Sequence, residues 1–355
     1  MKRNKLQRTS YFFVLICFSI LATPSIHAAD KVTRKGDTRT LLGKVQNVTR
    51  KSITVKSKLG QPKIIPSSDV EKIIWDGEPV SIKQARIYES NGAFDKAIEK
   101  YKNAASSNKS SNPLLKTDIQ FFIARIIAKQ AMGDVTKQKS AIVKLEAFRK
   151  SNPTSFRFYE SLTLLGELYL SNKQYDKARP VFLQIGNSPL PVHQMQAKSA
   201  EAKILLAKGK TTEALAIYNT ILRMPAQKPL QKKQHFAALL GKANCLQKSK
   251  KYTEAIKVFE EVIAKAAEDD LALKAEAWLR EGDTLRLSGR TKEAVLSYLH
   301  VDLLCPLQHA MRAEALYQLS QLFETLGDST NALRSSGKLT GDYPQSVWAK
   351  KLSGQ

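Results

Sequence analysis

One ten-residue pattern recurs along the chain and constrains its fold more than any other feature. Each copy begins with Gly or Lys, has Ala at the sixth place and ends on an aromatic residue. The five full copies are GAFDKAIEKY from Gly92, KQYDKARPVF from Lys173, GKTTEALAIY from Gly209, KKYTEAIKVF from Lys250 and GRTKEAVLSY from Gly289. A sixth copy, GDSTNALRSS, lacks the aromatic residue, and a degenerate copy, GDVTKQKSAI, lies between the first two. The pattern therefore predicts seven units.

Each copy follows a second element at a fixed distance. A small residue lies seven places before the copy and a large one four places before it, as Gly282 and Leu285 do before Gly289. Residues at three- and four-residue spacing share one face of a helix. Two helices can cross closely where one presents a small residue to the bulk of the other. Each unit is thus predicted to be a helical hairpin, and since one hairpin cannot bury its own apolar face, the units must stack.

The repeated unit resembles the tetratricopeptide repeat over roughly residues 78 to 345. The resemblance is most complete in AEAWLREGDTLRLSGRTKEAVLSYLHVDLLCP, where Trp278, Ala294 and Tyr298 lie at the family's positions. It implies a mainly α fold, an α-α superhelix of about seven hairpins. The second unit departs from the family, with Ile126 and Lys129 where a small and an aromatic residue are expected. The alternative is a bundle of unrelated amphipathic helices.

The beginning of the chain has the layout of a secretory signal peptide. The basic stretch MKRNKLQR precedes a twelve-residue apolar run, YFFVLICFSILA, and Ile26-His27-Ala28 suits a cleavage site. A bilayer span needs roughly 20 apolar residues, so this run is short for a permanent anchor. We expect cleavage after Ala28 and an exported protein, periplasmic or secreted. The alternative is anchoring by an uncleaved N-terminal segment.

Residues 30–79 follow a period of two instead of the helical period. Segments such as SITVKS alternate apolar and polar residues, and KLGQP is typical of a hairpin connection. Four or five short strands here predict a small SH3-like or Sm-like β-barrel that docks on the first helical unit and covers its open end. A barrel that binds a ligand of its own is the alternative. The predicted domains are therefore a signal peptide at 1–28, a β-barrel at 30–79, a helical repeat domain at 80–345 and a C-terminal capping segment at 346–355.

Composition and motifs favour binding over catalysis. The formal net charge of +25 indicates anionic surroundings or partners and carries no information about the fold. The chain has no H-E-x-x-H, P-loop or G-x-S-x-G motif, and its histidines are scattered. We therefore expect no cofactor, no metal site and no catalytic residues. Cys245 and Cys305 fall in different units, too far apart in the repeat register for a disulfide, so two free thiols are expected.

Three functions compete on these observations. The first is a non-catalytic scaffold that binds a protein or peptide in the concave groove of the solenoid. The second is a basic envelope protein that binds an anionic cell-surface polymer, and the third is a hydrolase with an unrecognised site. Nucleic acid is not expected as a partner, because export separates the protein from most of it.

The resemblance implies that ligands lie along the first helices, on the side that faces away from the second helices. The residues on that side are Leu170, Lys203, Leu206, Leu240, Asn244, Lys248, Leu279, Asp283, Arg286 and Tyr317. Apolar residues recur there in successive units with polar ones between them, as a peptide groove requires. The alternative is that the leucines only line a tightly wound solenoid.

Overall fold

The computed structural model describes residues 29–57, 60–132 and 134–354, so the predicted signal peptide lies outside the described residues. The N-terminal part has strands β1 (Asp30–Arg34), β2 (Thr40–Gln46), β3 (Ser52–Lys56), β4 (Lys63–Pro66) and β5 (Val70–Ile74). They form one antiparallel sheet in the order β4-β3-β2-β1-β5. The first half of β2 pairs with β1 and its second half with β3. The predicted short strands are therefore confirmed.

The sheet is not closed into the predicted barrel, because β4 and β5 lie at its two edges. A 3-10 turn, Ser67–Asp69, connects these two strands. The N–H of Ser67 donates to the Lys51 carbonyl at 2.8 Å, and the carbonyl of Asp69 accepts from the Lys35 N–H at 2.8 Å. One end of the turn is thus held beside β3 and the other beside β1.

The remainder of the chain is helical, and the mainly α fold is confirmed. Its helices are α1 (Val80–Ser90), α2 (Phe94–Ser107), α3 (Pro113–Met132), α4 (Gln138–Ser151), α5 (Phe158–Ser171), α6 (Tyr175–Gly186), α7 (Pro191–Ala207), α8 (Thr211–Leu222), α9 (Pro229–Lys248), α10 (Tyr252–Lys265), α11 (Leu271–Leu287), α12 (Thr291–Leu304), α13 (His309–Thr325), α14 (Ser329–Asp342) and α15 (Val347–Leu352). From α1 to α14, each odd-numbered first helix packs against the even-numbered second helix that follows it. First helices of neighbouring hairpins also contact each other between α3 and α5 and from α7 through α9 and α11 to α13, whereas second helices touch one another far less, so the first helices form the inner side of the solenoid.

The first place of the repeated pattern is explained by backbone conformation. Six hairpin turns have a residue with a φ between 54° and 81° at this place, namely Gly92, Lys173, Gly209, Lys250, Gly289 and Gly327. A left-handed residue after a helix directs the following N–H groups back to the carbonyls of the last turn. Glycine adopts this conformation without the steric cost that a Cβ brings, which explains why it occupies four of the six turns.

The Ala and aromatic places are buried on the second helix, together with an apolar residue three positions further on. In α8 the three residues are Ala214, Tyr218 and Ile221, none more than 1% exposed. In α4 the same spacing selects Ala141, Leu145 and Phe148, three residues later than the copy GDVTKQKSAI indicates. The 3-10 turn Val135–Lys137 lengthens the connection before α4. The register of the second hairpin is therefore shifted by this insertion.

The sheet docks on the helices through a buried polar cluster. The indole N–H of Trp75 donates to the Asp118 carboxylate in α3 at 2.8 Å, and Arg157 Nε donates to the other oxygen at 2.8 Å. Trp75 and Arg157 are each 2% exposed and Asp118 is fully buried. A buried charge is tolerated where it is paired and hydrogen-bonded, and here each carboxylate oxygen has a donor. The cluster fixes the sheet against the second hairpin and the start of the third.

The docking extends further along the solenoid than the predicted contact with the first unit alone. The Arg50 guanidinium lies 3.8 Å from the centre of the Phe158 ring at the start of α5. Gly36 lies against Pro229 at the start of α9, where a Cβ on the glycine would come within 2.8 Å of the proline. The sheet therefore lies along the N-terminal ends of several first helices.

Candidate partner-binding surface

All ten residues predicted for partner binding lie on first helices. Leu170 is on α5, Lys203 and Leu206 are on α7, Leu240, Asn244 and Lys248 are on α9, Leu279, Asp283 and Arg286 are on α11, and Tyr317 is on α13. The repeat register thus selects one helix from each of five successive hairpins. The solvent exposure of the ten side chains differs, so that some belong to the core and others to the surface.

Leu240 and Leu279 belong to the core and do not line a surface. Leu240 is 5% exposed in a cluster with Phe259, and Leu279 is fully buried in a cluster with Tyr298. Leu240 clusters with residues of α10 and α11, and Leu279 clusters with residues of α10, α12 and α13, so helices of the neighbouring hairpins enclose the two leucines. Their assignment to the binding surface is wrong, and for these two positions the alternative of leucines inside a tightly wound solenoid is correct.

Tyr317 is covered by the last helix of the chain. Its ring centre lies 5.2 Å from that of Trp348, and the ammonium group of Lys351 is 4.8 Å from the Tyr317 ring. Both covering residues are on α15, which packs against α13 and α14. Helix α15 therefore covers part of the Tyr317 side chain, which is half-buried.

Asp283 takes part in a polar network that connects three helices. Its carboxylate accepts a hydrogen bond from the Tyr298 hydroxyl of α12 at 2.8 Å and from Arg280 at 2.6 Å. Arg280 also donates to Glu314 of α13 at 2.9 Å. Burial raises the pKa of Tyr298, and the neighbouring Asp283 carboxylate raises it further, so the hydroxyl stays a donor. Asp283 therefore joins the two helices of its own hairpin and orients Arg280, which connects it to the next hairpin, a role that the sequence did not indicate.

Six of the predicted residues remain presented on the inner side. Lys203, Lys248 and Arg286 are exposed, while Asn244 and the two leucines are half-buried. The members of this inner surface are Leu170, Lys203, Leu206, Asn244, Lys248 and Arg286. Within the described residues, no carboxylate oxygen lies within 4.0 Å of the charged nitrogens of Lys203, Lys248 or Arg286. The inner surface therefore offers cations, an amide and apolar area, which suit an anionic or acidic partner with some apolar side chains.

The cysteine thiols lie outside the inner surface and are not grouped with other reactive side chains in the described part of the chain. Cys245 and Cys305 are free thiols, as expected, and both are buried. Burial raises the pKa of the Cys245 thiol to about 11, so it stays protonated at neutral pH and is a weak nucleophile. Among the described residues, no group of three or more His, Cys, Asp and Glu side chains is arranged to hold a metal ion. No helix in the described ranges combines the length and apolarity needed to cross a membrane.

Comparison with known proteins agrees with this architecture. Sequence models of the tetratricopeptide repeat match residues 82–113, 159–185, 205–279 and 314–346. Among solved structures, the chain is similar to a tetratricopeptide repeat protein from Parabacteroides merdae, with a TM-score of 0.52 and 16% identity over 77% of this chain and 96% of that one.

Two further structures are similar at the same level. One is the apo form of RapI, with a TM-score of 0.50 and 12% identity over 78% of this chain and 79% of that one. The other is a Rap protein complexed with competence and sporulation factor, with a TM-score of 0.51 and 15% identity over 77% of this chain and 75% of that one. No curated protein matches the chain. At these identities the likeness shows the fold alone.

Proposed function

The chain belongs to the tetratricopeptide repeat family, and we propose that it is an exported, non-catalytic scaffold that binds a protein or peptide partner on its inner surface. One observation carries the proposal. Successive first helices α7, α9 and α11 each present an exposed cation to the inner side, Lys203, Lys248 and Arg286, without a carboxylate partner among the described residues. Exposed cations on successive hairpins can each contact a carboxylate of one extended partner.

The neighbouring side chains add apolar and hydrogen-bonding contacts to this row. Leu170 and Leu206 are half-buried on the two hairpins that precede Lys248, and Asn244 lies one helical turn before it. A half-buried leucine still offers apolar area to a partner. The partner that fits is therefore an acidic segment with apolar side chains. The Rap protein that was solved with competence and sporulation factor shares the fold, which supports a binding role for such a solenoid.

The experiment that tests this proposal compares charge-reversed variants. The mature chain, starting at Ala29, is immobilised and exposed to an extract of the cell envelope, and captured proteins are identified by mass spectrometry. The variant Lys203→Glu with Lys248→Glu should lose the partner that the unaltered chain captures. Lys257→Glu with Lys292→Glu is the control matched in charge, because both lysines are exposed on second helices, α10 and α12. Equal capture by the inner-surface double variant and the control would overturn the inner surface as the binding site.

A second candidate, binding of an anionic envelope polymer, is favoured by one observation, the net charge of +25. Binding that depends on many dispersed surface cations is screened by salt, and it should fall by similar factors in the inner-surface double variant and in the charge-matched control. Binding on the inner surface should depend on Lys203 and Lys248 far more than on the two control lysines. The same three proteins, assayed with the purified polymer at low and high ionic strength, therefore distinguish the two functions.

A further inference from the structure

A cavity of about 480 Å³ lies outside the inner surface, between the ends of two second helices and one face of α9. Its lining residues are Leu222, Ala226, Lys232, His235, Phe236, Leu239, Lys242, Glu261 and Lys265. None of them belongs to the inner surface. Its volume is within the range of about 300 to 1,000 Å³ that small-molecule sites occupy.

The cavity exists because α9 is longer than its neighbours. α9 has 20 residues, whereas α8 has 12 and α10 has 14. Helix α9, which follows the long loop at 223–228, supplies Lys232, His235, Phe236, Leu239 and Lys242 to the cavity. The C-terminal ends of α8 and α10 flank this face, so the unequal helix lengths leave an open space between them.

The floor of the cavity is apolar. Leu222 packs at the edge of the core cluster around Tyr218, and Phe236 and Leu239 pack at the edge of the cluster around Phe259. All three floor residues are only half-buried, so apolar area remains open at the junction between two hairpin cores. An apolar ligand group that covered this floor would gain free energy from the area removed from water.

The rim of the cavity is cationic and has unused hydrogen-bonding capacity. Lys265 is paired with Glu261 at 2.7 Å, which neutralises the one carboxylate in the lining. Lys232 and Lys242 have no carboxylate oxygen within 4.0 Å among the described residues. His235 Nε2 is enclosed and has no hydrogen-bond partner in the same part of the chain. Lys242 and His235 are seven residues apart and share one face of α9, with Lys242 leaning towards His235, so a single anionic group above the apolar floor can contact both. Lys232 lies about 15 Å along the helix from Lys242 and adds positive charge at the other end of the rim.

We propose that this cavity binds an amphipathic monocarboxylate, a small molecule with an unbranched apolar chain and one carboxylate. The apolar chain covers Leu222, Phe236 and Leu239, and the carboxylate contacts Lys242 and the His235 imidazole. A cation of the same chain length lacks these polar contacts and meets two like charges at the rim. This site is separate from partner binding on the inner surface, so either can fail in a test without the other.

The test is isothermal titration calorimetry of the mature chain with decanoate, below its micelle-forming concentration, and with decyltrimethylammonium as the cationic counterpart. Decanoate should bind at one site, and the cation should bind at least about tenfold more weakly, a loss of about 1.4 kcal/mol. Lys242→Glu should weaken decanoate binding by at least a similar factor, whereas Lys257→Glu on α10 should leave it unchanged. Circular dichroism verifies that both variants keep their helix content.

A second measurement locates the ligand. The imidazole NMR signals of His235 should shift on addition of decanoate, and those of His309, which does not line the cavity, should stay in place. The proposal is overturned if decanoate does not bind, if the cation binds as well as decanoate, if the two lysine variants are equal, or if the His235 signals do not move.

Discussion

The indole N–H of Trp75 and the carboxylate of Asp118 form a 2.8 Å hydrogen bond that connects the N-terminal sheet to the helical repeats. The two residues are 43 positions apart in sequence, and both are buried. The other carboxylate oxygen is held by Arg157 at 2.8 Å. The sheet and the first hairpins therefore share one polar anchor inside a continuous apolar core.

Replacing Trp75 with phenylalanine should destabilise the protein while keeping the anchor's aromatic ring. The variant leaves one oxygen of the buried Asp118 carboxylate without its donor, and an unsatisfied buried group costs about 1–3 kcal/mol. Urea unfolding followed by circular dichroism measures the change. Trp278→Phe is the control, because Trp278 is half-buried and stacks on His300, a contact that phenylalanine can also make. Equal losses in the two variants would show that the hydrogen bond contributes nothing beyond ring packing.

Stability should also depend on pH through Glu89 of the first hairpin. Burial alone would raise the pKa of Glu89, but Arg125 and Lys129, which lie 2.8 and 2.9 Å from its oxygens, outweigh burial and lower it to about 2. Because the folded pKa lies below the unfolded value of 4.5, the stabilisation is complete above pH 4.5 and is lost as pH falls towards 2. The effect is on the order of 3 kcal/mol.

The Glu89→Gln variant tests this pH dependence. The free energy of unfolding should be lower in Glu89→Gln than in the unaltered chain at neutral pH, and the gap should narrow between pH 5 and pH 3. Glu99→Gln serves as the control, because Glu99 is exposed on α2. A gap for Glu89→Gln that stays constant over this range would contradict the lowered pKa.

The hairpins could be predicted from the sequence because their determinants are local. A left-handed turn residue, such as Gly289, and a buried pair four residues apart, such as Ala294 and Tyr298, leave a periodic trace in the sequence. The burial of Leu279 could not be predicted in this way, because it depends on packing against residues of the neighbouring hairpins that are far away in the sequence. The cover over Tyr317 likewise depends on where α15 folds back, and the contacts of the sheet with several hairpins depend on residues far apart in the chain.

The shifted register of the second hairpin can be tested in α4. Ala141 is fully buried at the place of the repeated alanine, so Ala141→Leu should overpack the contact between helices and cost about 1–3 kcal/mol. Ala147 lies on the same helix and is exposed, and Ala147→Leu should change stability by less than about 0.5 kcal/mol. Thermal and urea unfolding of the two variants measure the difference. If Ala147→Leu is the more destabilising change, the register is wrong.

The two kinds of glycine in the repeats should respond to alanine in opposite directions. Gly289 has a φ of 81° in a hairpin turn, so Gly289→Ala should destabilise the protein by about 1 kcal/mol. Gly337 lies within helix α14, where a Cβ would meet nothing within 4 Å, and Gly337→Ala should stabilise it by up to about 1 kcal/mol. The melting temperatures of the two variants can be compared directly, because each change adds one methyl group that contacts no other atom within 4 Å. Changes of the same sign would contradict the turn conformation.

Export predicts a defined mature N-terminus at Ala29 or Asp30. Cleavage after Ala28 would leave β1 intact, because Asp30 is its first residue and its carboxylate accepts hydrogen bonds from the Val45 N–H at 2.8 Å and the Asp76 N–H at 2.9 Å. Mass spectrometry of the protein recovered outside the cytoplasm should show this N-terminus. Ala28→Arg puts a large charged residue at the cleavage site and should leave the full-length chain in the membrane fraction. If the unaltered chain is itself found there at full length, the N-terminal segment is an uncleaved anchor.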